Sequence, residues 1–161
     1  MTRKEYNTAV DQHANGLYRF ILKSMRDAEA AQDVVQDVFV KLWEKHENVQ
    51  FEKVKSYLFT AGHRTMIDVF RKNKRSTAMD EVVESNYGHE KQYSDLNDIL
   101  DEALKRLPDV QRDAILLRDY EGYAYQEIGE ILNLNESQVK TYIFRGRKAL
   151  QEYLKSVETV L

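Results

Sequence analysis

The chain has 161 residues, of which 42% are apolar and 32% charged, and a net charge of -3. That is the length of one ordinary domain or two very small ones, with enough apolar material for compact cores. There is no cysteine, which excludes disulfides, thiolate zinc sites and cysteine nucleophiles. The longest apolar run is the four residues Ala114 to Leu117, too short to cross a bilayer. Met1-Thr-Arg-Lys-Glu does not lead into the apolar stretch of a secretory signal, so a cytoplasmic protein without membrane insertion is expected.

The net charge conceals an uneven distribution. Residues 1–75 carry 14 Lys and Arg against 10 Asp and Glu, residues 76–97 carry one against five, and residues 98–161 carry nine against 12. The chain therefore runs from cationic through strongly acidic to mildly acidic, and this asymmetry divides it before any motif is read.

Six glycines and one proline leave little to interrupt helices, and apolar residues recur at three- and four-residue spacing almost throughout. The pattern predicts an all-α protein of two small helical modules joined by a flexible acidic linker. A first helix, about Lys4 to Met25, places Val10, Leu17 and Ile21 on one side with Tyr6, His13 and Phe20 beside them. The second has Asp27 as N-cap and an apolar stripe of Ala31, Val34, Val35, Val38, Phe39 and Leu42. Asp33, Gln36, Asp37 and Lys41 occupy its other face, and Phe39 and Trp43 read as core anchors. A third helix, about Val54 to Asn73, aligns Leu58, Ala61, Thr65 and Val69 and ends in Arg71-Lys72-Asn73-Lys74-Arg75.

Periodicity then fails, and residues 76–95 read as the linker between a first module, 1–75, and a second, 96–161. Leu96, Ile99, Leu100, Ala103, Leu104 and Leu107 form a one-sided helix stopped by Pro108, which can open the next helix at its first position. That helix is expected to reach about Tyr120, where Gly122 punctuates, before two more at about 125–132 and 136–153.

The last two have helix-turn-helix spacing. Ile128, Ile131 and Leu132 give the first an apolar face, Gly129 permits close approach, and Leu134 can plug the shared core. Asn135 caps the second helix, with Gln138 three residues on in a capping-box arrangement. Val139, Ile143 and Leu150 then face inward, leaving Ser137, Gln138, Lys140, Thr141, Phe144, Arg145, Arg147 and Lys148 outside. No acid occurs from Ser137 to Gln151. Small polar groups near the helix start with four cations behind them suit base-edge reading in a major groove and phosphate anchoring.

Here the residues reach a family. The segment from Leu107-Pro-Asp-Val-Gln-Arg through Glu121-Gly-Tyr-Ala-Tyr-Gln-Glu-Ile-Gly-Glu-Ile-Leu to Arg145-Gly-Arg-Lys-Ala-Leu resembles region 4 of the extracytoplasmic-function sigma factors of the sigma-70 family. Independently, Asp33-Val-Val-Gln-Asp-Val-Phe-Val-Lys-Leu-Trp resembles region 2.2, and Ser56-Tyr-Leu-Phe through Ile67-Asp-Val-Phe-Arg-Lys resembles regions 2.3 and 2.4.

The resemblance implies a protein that binds core RNA polymerase, contacting the beta-prime clamp helices and the beta flap, and directs it to promoter DNA. Asp33, Gln36, Asp37 and Lys41 would dock on the clamp. Lys53, Lys55, Ser56, His63, Arg64, Arg71, Lys72, Lys74 and Arg75 would engage the minus-ten element, where extruded bases need pockets and phosphates a cationic track. The exposed residues of the last helix would engage the minus-35 element. His63-Arg64 departs from the Arg-Asn of many family members, and exposed docking faces invite an anti-sigma factor or another recruiting partner.

No catalytic group, cofactor or metal is implied: His13, His46, His63 and His89 lack ligand spacing, and no phosphate loop or nucleophile motif is present. The main alternative is a helix-turn-helix regulator that binds duplex DNA without being a polymerase subunit. A helical adaptor binding acidic proteins is a third.

Overall fold

The computed structural model describes residues 1–79 and 95–160. The chain divides into two compact units, Met1–Tyr87 and Gly88–Leu161, and among the described residues no strand occurs.

The first unit is a bundle of α1 (Arg3–Met25), α2 (Ala28–Glu44) and α3 (Val54–Met79), with 3₁₀ turns at His46–Asn48 and Phe51–Lys53. The boundaries of α1 and α2 come from local chemistry. Thr2 and Glu5 form a reciprocal capping box, and the Asp27 carboxylate accepts from Ala30 N–H at 3.1 Å. All three helices pack on one another and bury Leu17, Phe20 and Ile21 of α1, Val34, Val38 and Leu42 of α2, and Leu58, Phe59 and Met66 of α3. Each such side chain contributes roughly 1.5–3 kcal/mol on transfer from water, so the bundle rests on this shared apolar seam. Phe59 lies against Phe20 with ring centroids 5.6 Å apart, which makes it core.

The second unit contains α4 (Asp95–Lys105), α5 (Asp109–Ile115), α6 (Tyr125–Leu132) and α7 (Glu136–Val160). Here α7 is the organising element, packing against α4, α5 and α6. Gly146 is where α7 crosses α5, since a Cβ there would collide with the Ile115 side chain. Inside this unit Asp113 is fully buried beside Arg112, whose Nε lies 3.4 Å from its Oδ1, and Arg112 also reaches Asp109 at 3.1 Å.

Several boundaries differ from the sequence expectation. The third helix continues past Arg75 to Met79, so the first residues assigned to the linker are helical, as is Asp95 at its end. Residues 80–94 of that linker lie outside the described residues. Pro108 is the N-cap and not the first helical residue: its ψ of 147° is extended, and α5 starts at Asp109. The expected helix to Tyr120 is α only to Ile115 and finishes in a π turn, Leu116–Tyr120. The last helix extends past Tyr153 to Val160.

Candidate nucleic-acid and polymerase interfaces

The helix-turn-helix is built from short-range signals. Glu127 Oε1 accepts from Ala124 N–H at 3.1 Å at the start of α6, and Asn133, at φ 58°, closes that helix in the left-handed conformation. Leu134 N–H then donates to Gly129 O at 2.8 Å. A Cβ on Gly129 would sit 2.6 Å from Leu134 O, so glycine is what lets the turn fold back on α6. Asn135 and Gln138 cap α7 reciprocally, at 2.8 and 3.0 Å. Val139 and Ile143 are buried as expected, while Leu134 and Leu150 are only half-buried.

This geometry sorts the outward residues of α7 into two strips. At 100° per residue, Ser137, Thr141, Phe144, Arg145 and Lys148 share an arc of roughly 100° opposite the buried Val139, Ile143 and Gly146. Phe144, 69% exposed, forms the edge of it nearest Lys140. Gln138 borders this strip, but its side-chain oxygen is engaged in the cap. Lys140 and Arg147 lie on the flank, toward the start of α6. Lys140 pairs with Glu136 at 3.5 Å and sits 5.8 Å above the Tyr125 ring. Arg147 makes a two-pronged ion pair with Asp119, Nε at 3.2 Å and Nη2 at 2.5 Å, and its charged form is favoured by that carboxylate. Asp119 was not singled out from the sequence, because nothing local marks a partner 28 residues away.

Along α3 the expected minus-ten residues do not converge on one point; from Lys55 to Arg75 they span about 30 Å of helix axis. Arg64, Arg71 and Arg75 share one exposed face with the acid Asp68 among them. Lys72 and Lys74 are exposed to either side, and Ser56 and His63 form a neighbouring, half-buried strip. Lys53 is exposed in the 3₁₀ turn before the helix. Lys55 lies on the opposite side from Arg64 and faces His13 of α1, whose pKa is lowered by burial and then by the Lys55 charge.

On α2, Asp33, Asp37 and Lys41 form an exposed stripe with Gln36 beside it, and Asp37 pairs with Lys41 at 3.0 Å. Val40, 55% exposed, sits within this face, and Trp43, 43% exposed, borders it. Trp43 is therefore not the core anchor expected of it, whereas Phe39 is buried. One residue past the buried Leu42, the indole emerges at the rim of the buried stripe and packs sideways, flat on His46 (4.2 Å) and edge-on to Tyr6 (5.0 Å). Among the described residues no His, Asp and Glu cluster could hold a metal ion, and no helix is long and apolar enough to cross a membrane.

Two helical units, one carrying a helix-turn-helix with an outward basic strip and the other a helix with an exposed acidic and amide face, define a helical DNA-binding transcription protein. Comparison with known proteins gives its family. The sigma-70 region 2 model matches residues 9–76 and the sigma-70 region 4 model residues 97–150. The chain is 33% identical to RNA polymerase sigma factor SigV of Bacillus subtilis (strain 168), over 89% of this chain and 87% of that protein. It is 28% identical to the ECF RNA polymerase sigma factor SigM of the same organism, over 86% and 88% respectively. Among solved structures it is similar to the sigma factor RpoE in its co-crystal with the anti-sigma factor NepR from Bartonella quintana (TM-score 0.82, 29% identity, 94% of this chain and 98% of that one). The chain belongs to the extracytoplasmic-function sigma factors of the sigma-70 family, and it directs promoter-specific transcription initiation. A helix-turn-helix regulator that binds duplex DNA without being a polymerase subunit is not favoured, because the match of residues 9–76 to sigma-70 region 2 would have no explanation.

Proposed function

We propose that this sigma factor docks on core RNA polymerase through the α2 face, with Asp33, Gln36, Asp37 and Lys41 meeting the beta-prime clamp helices and region 4 meeting the beta flap. The cationic face of α3, with Lys53, Ser56 and His63 at its edges, tracks the minus-ten strand, and α7 reads the minus-35 element. Residues 1–75 and 96–161 are then the two working modules and 76–95 the tether. The protein works in the cytoplasm, performs no chemistry of its own and takes no cofactor. The observation that carries this reading is the two-sidedness of α7, in which Ser137, Thr141, Phe144, Arg145 and Lys148 are exposed while Val139, Ile143 and Gly146 are buried. An anti-sigma factor or other recruiting partner is supported by the related RpoE, seen in complex with NepR.

Asp37→Lys tests the docking face. Co-purification with core polymerase is expected to weaken by about tenfold or more, since like charges facing each other across an interface cost several kcal/mol, while far-UV circular dichroism stays unchanged. Unchanged affinity removes this face from the docking surface.

A further inference from the structure

Asp119 lies in the π turn that ends α5, and nothing in the DNA-reading strip of α7 requires an acid there. Yet its carboxylate takes both prongs of the Arg147 guanidinium, at 3.2 and 2.5 Å, across 28 residues of sequence. The π turn supplies the placement: an extra residue in the turn changes the rotation at which the following side chains emerge, and Asp119 emerges toward α7. Tyr125 closes the group from the start of α6. Its ring carries the Arg118 guanidinium at 4.3 Å, and after Asp119 it adds to the electrostatic preference for the charged form of Arg147. Planar, two-pronged Arg–carboxylate geometry is the strong form of this interaction, and the same fork would otherwise fit a phosphate.

We propose that Asp119 is a positioning residue for promoter selectivity: it holds Arg147 against the π turn and withholds that cation from the DNA backbone. This rests on α7 being the minus-35 recognition helix. A cation on the flank of such a helix adds affinity for any duplex, because phosphate contacts carry no sequence information. Neutralising Arg147 leaves Arg145, Lys148, Thr141 and Phe144 to act at the groove, and it lowers the background of sequence-independent binding.

The test is the salt dependence of binding of the full chain to a random-sequence duplex. Asp119→Asn is expected to bind more tightly than wild type, with the slope of log K against log salt steeper by about 0.9, the increment for one added phosphate contact on B-DNA. In an Arg147→Ala background the same change is expected to leave the slope unaltered. A single variant with the wild-type slope overturns the proposal, because Arg147 would then reach a phosphate regardless of Asp119. Equal steepening in the Arg147→Ala background also overturns it, since the effect would be general charge. Arg145→Ala, read with holoenzyme on a promoter duplex where base and phosphate contacts both count, separates the two levels: if it weakens that binding while Asp119→Asn does nothing, only the positioning role fails. If neither variant alters binding, the reading of α7 as the DNA helix fails as well.

Discussion

Gly129 and Leu134 approach so closely that a Cβ on the glycine would lie 2.6 Å from the Leu134 carbonyl oxygen. The obstructing atom is backbone and cannot rotate away. Overpacking of this kind costs about 1–3 kcal/mol, against the ~1 kcal/mol that alanine gains over glycine in helix propensity. Gly129→Ala is therefore expected to destabilise the α4–α7 module by up to about 2 kcal/mol. Urea unfolding followed by circular dichroism reads the loss. The single tryptophan, Trp43, lies in the other module, so its fluorescence transition is expected to stay at the wild-type midpoint.

Asp113 carries a second stability prediction. It is fully buried against Arg112, itself nearly buried. Removing one partner of a buried pair costs about 3–5 kcal/mol when the other charge is left uncompensated, and less here because Asp109 stays 3.1 Å from Arg112, whereas replacing both by apolar residues is far milder. Asp113→Asn is expected to unfold the second module at much lower urea, and Arg112→Met with Asp113→Leu to recover most of the loss. Equal destabilisation by both would contradict the pairing.

Arg145 and Phe144 stand on the open strip of α7, and Arg145 makes no ion pair among the described residues. If Arg145 reads a base edge, Arg145→Ala weakens promoter binding by holoenzyme by about 1–3 kcal/mol and relaxes preference at one position. A uniform loss on all sequences instead assigns it to a phosphate. Competition binding of holoenzyme to promoter and scrambled duplexes distinguishes the two.

What could be read in advance from the residues was mostly what local chemistry decides, although Pro108 proved to be the N-cap and not the first residue of α5. The Asp27 cap, the Asn135 and Gln138 box, the close approach at Gly129 and the span of α6 all depend on neighbours within a few positions, and all are present. What escaped depends on packing between elements. Trp43 follows an apolar spacing yet emerges at the rim of the α2 stripe, one residue past the buried Leu42, so it packs on His46. Lys55 belongs to a cationic segment but emerges on the side of α3 that faces His13. Arg147 looks interchangeable with Arg145 in sequence, two residues apart, but that spacing turns it toward the π turn and Asp119.

Promoter selection by a sigma factor of this build requires core polymerase. Run-off transcription of a fragmented genomic library by core RNA polymerase, with and without the full chain, measures it most directly. Discrete start sites that occur only when the protein is added are the expected result. Absence of specific starts, together with failure of the protein to co-purify with core polymerase, would contradict it.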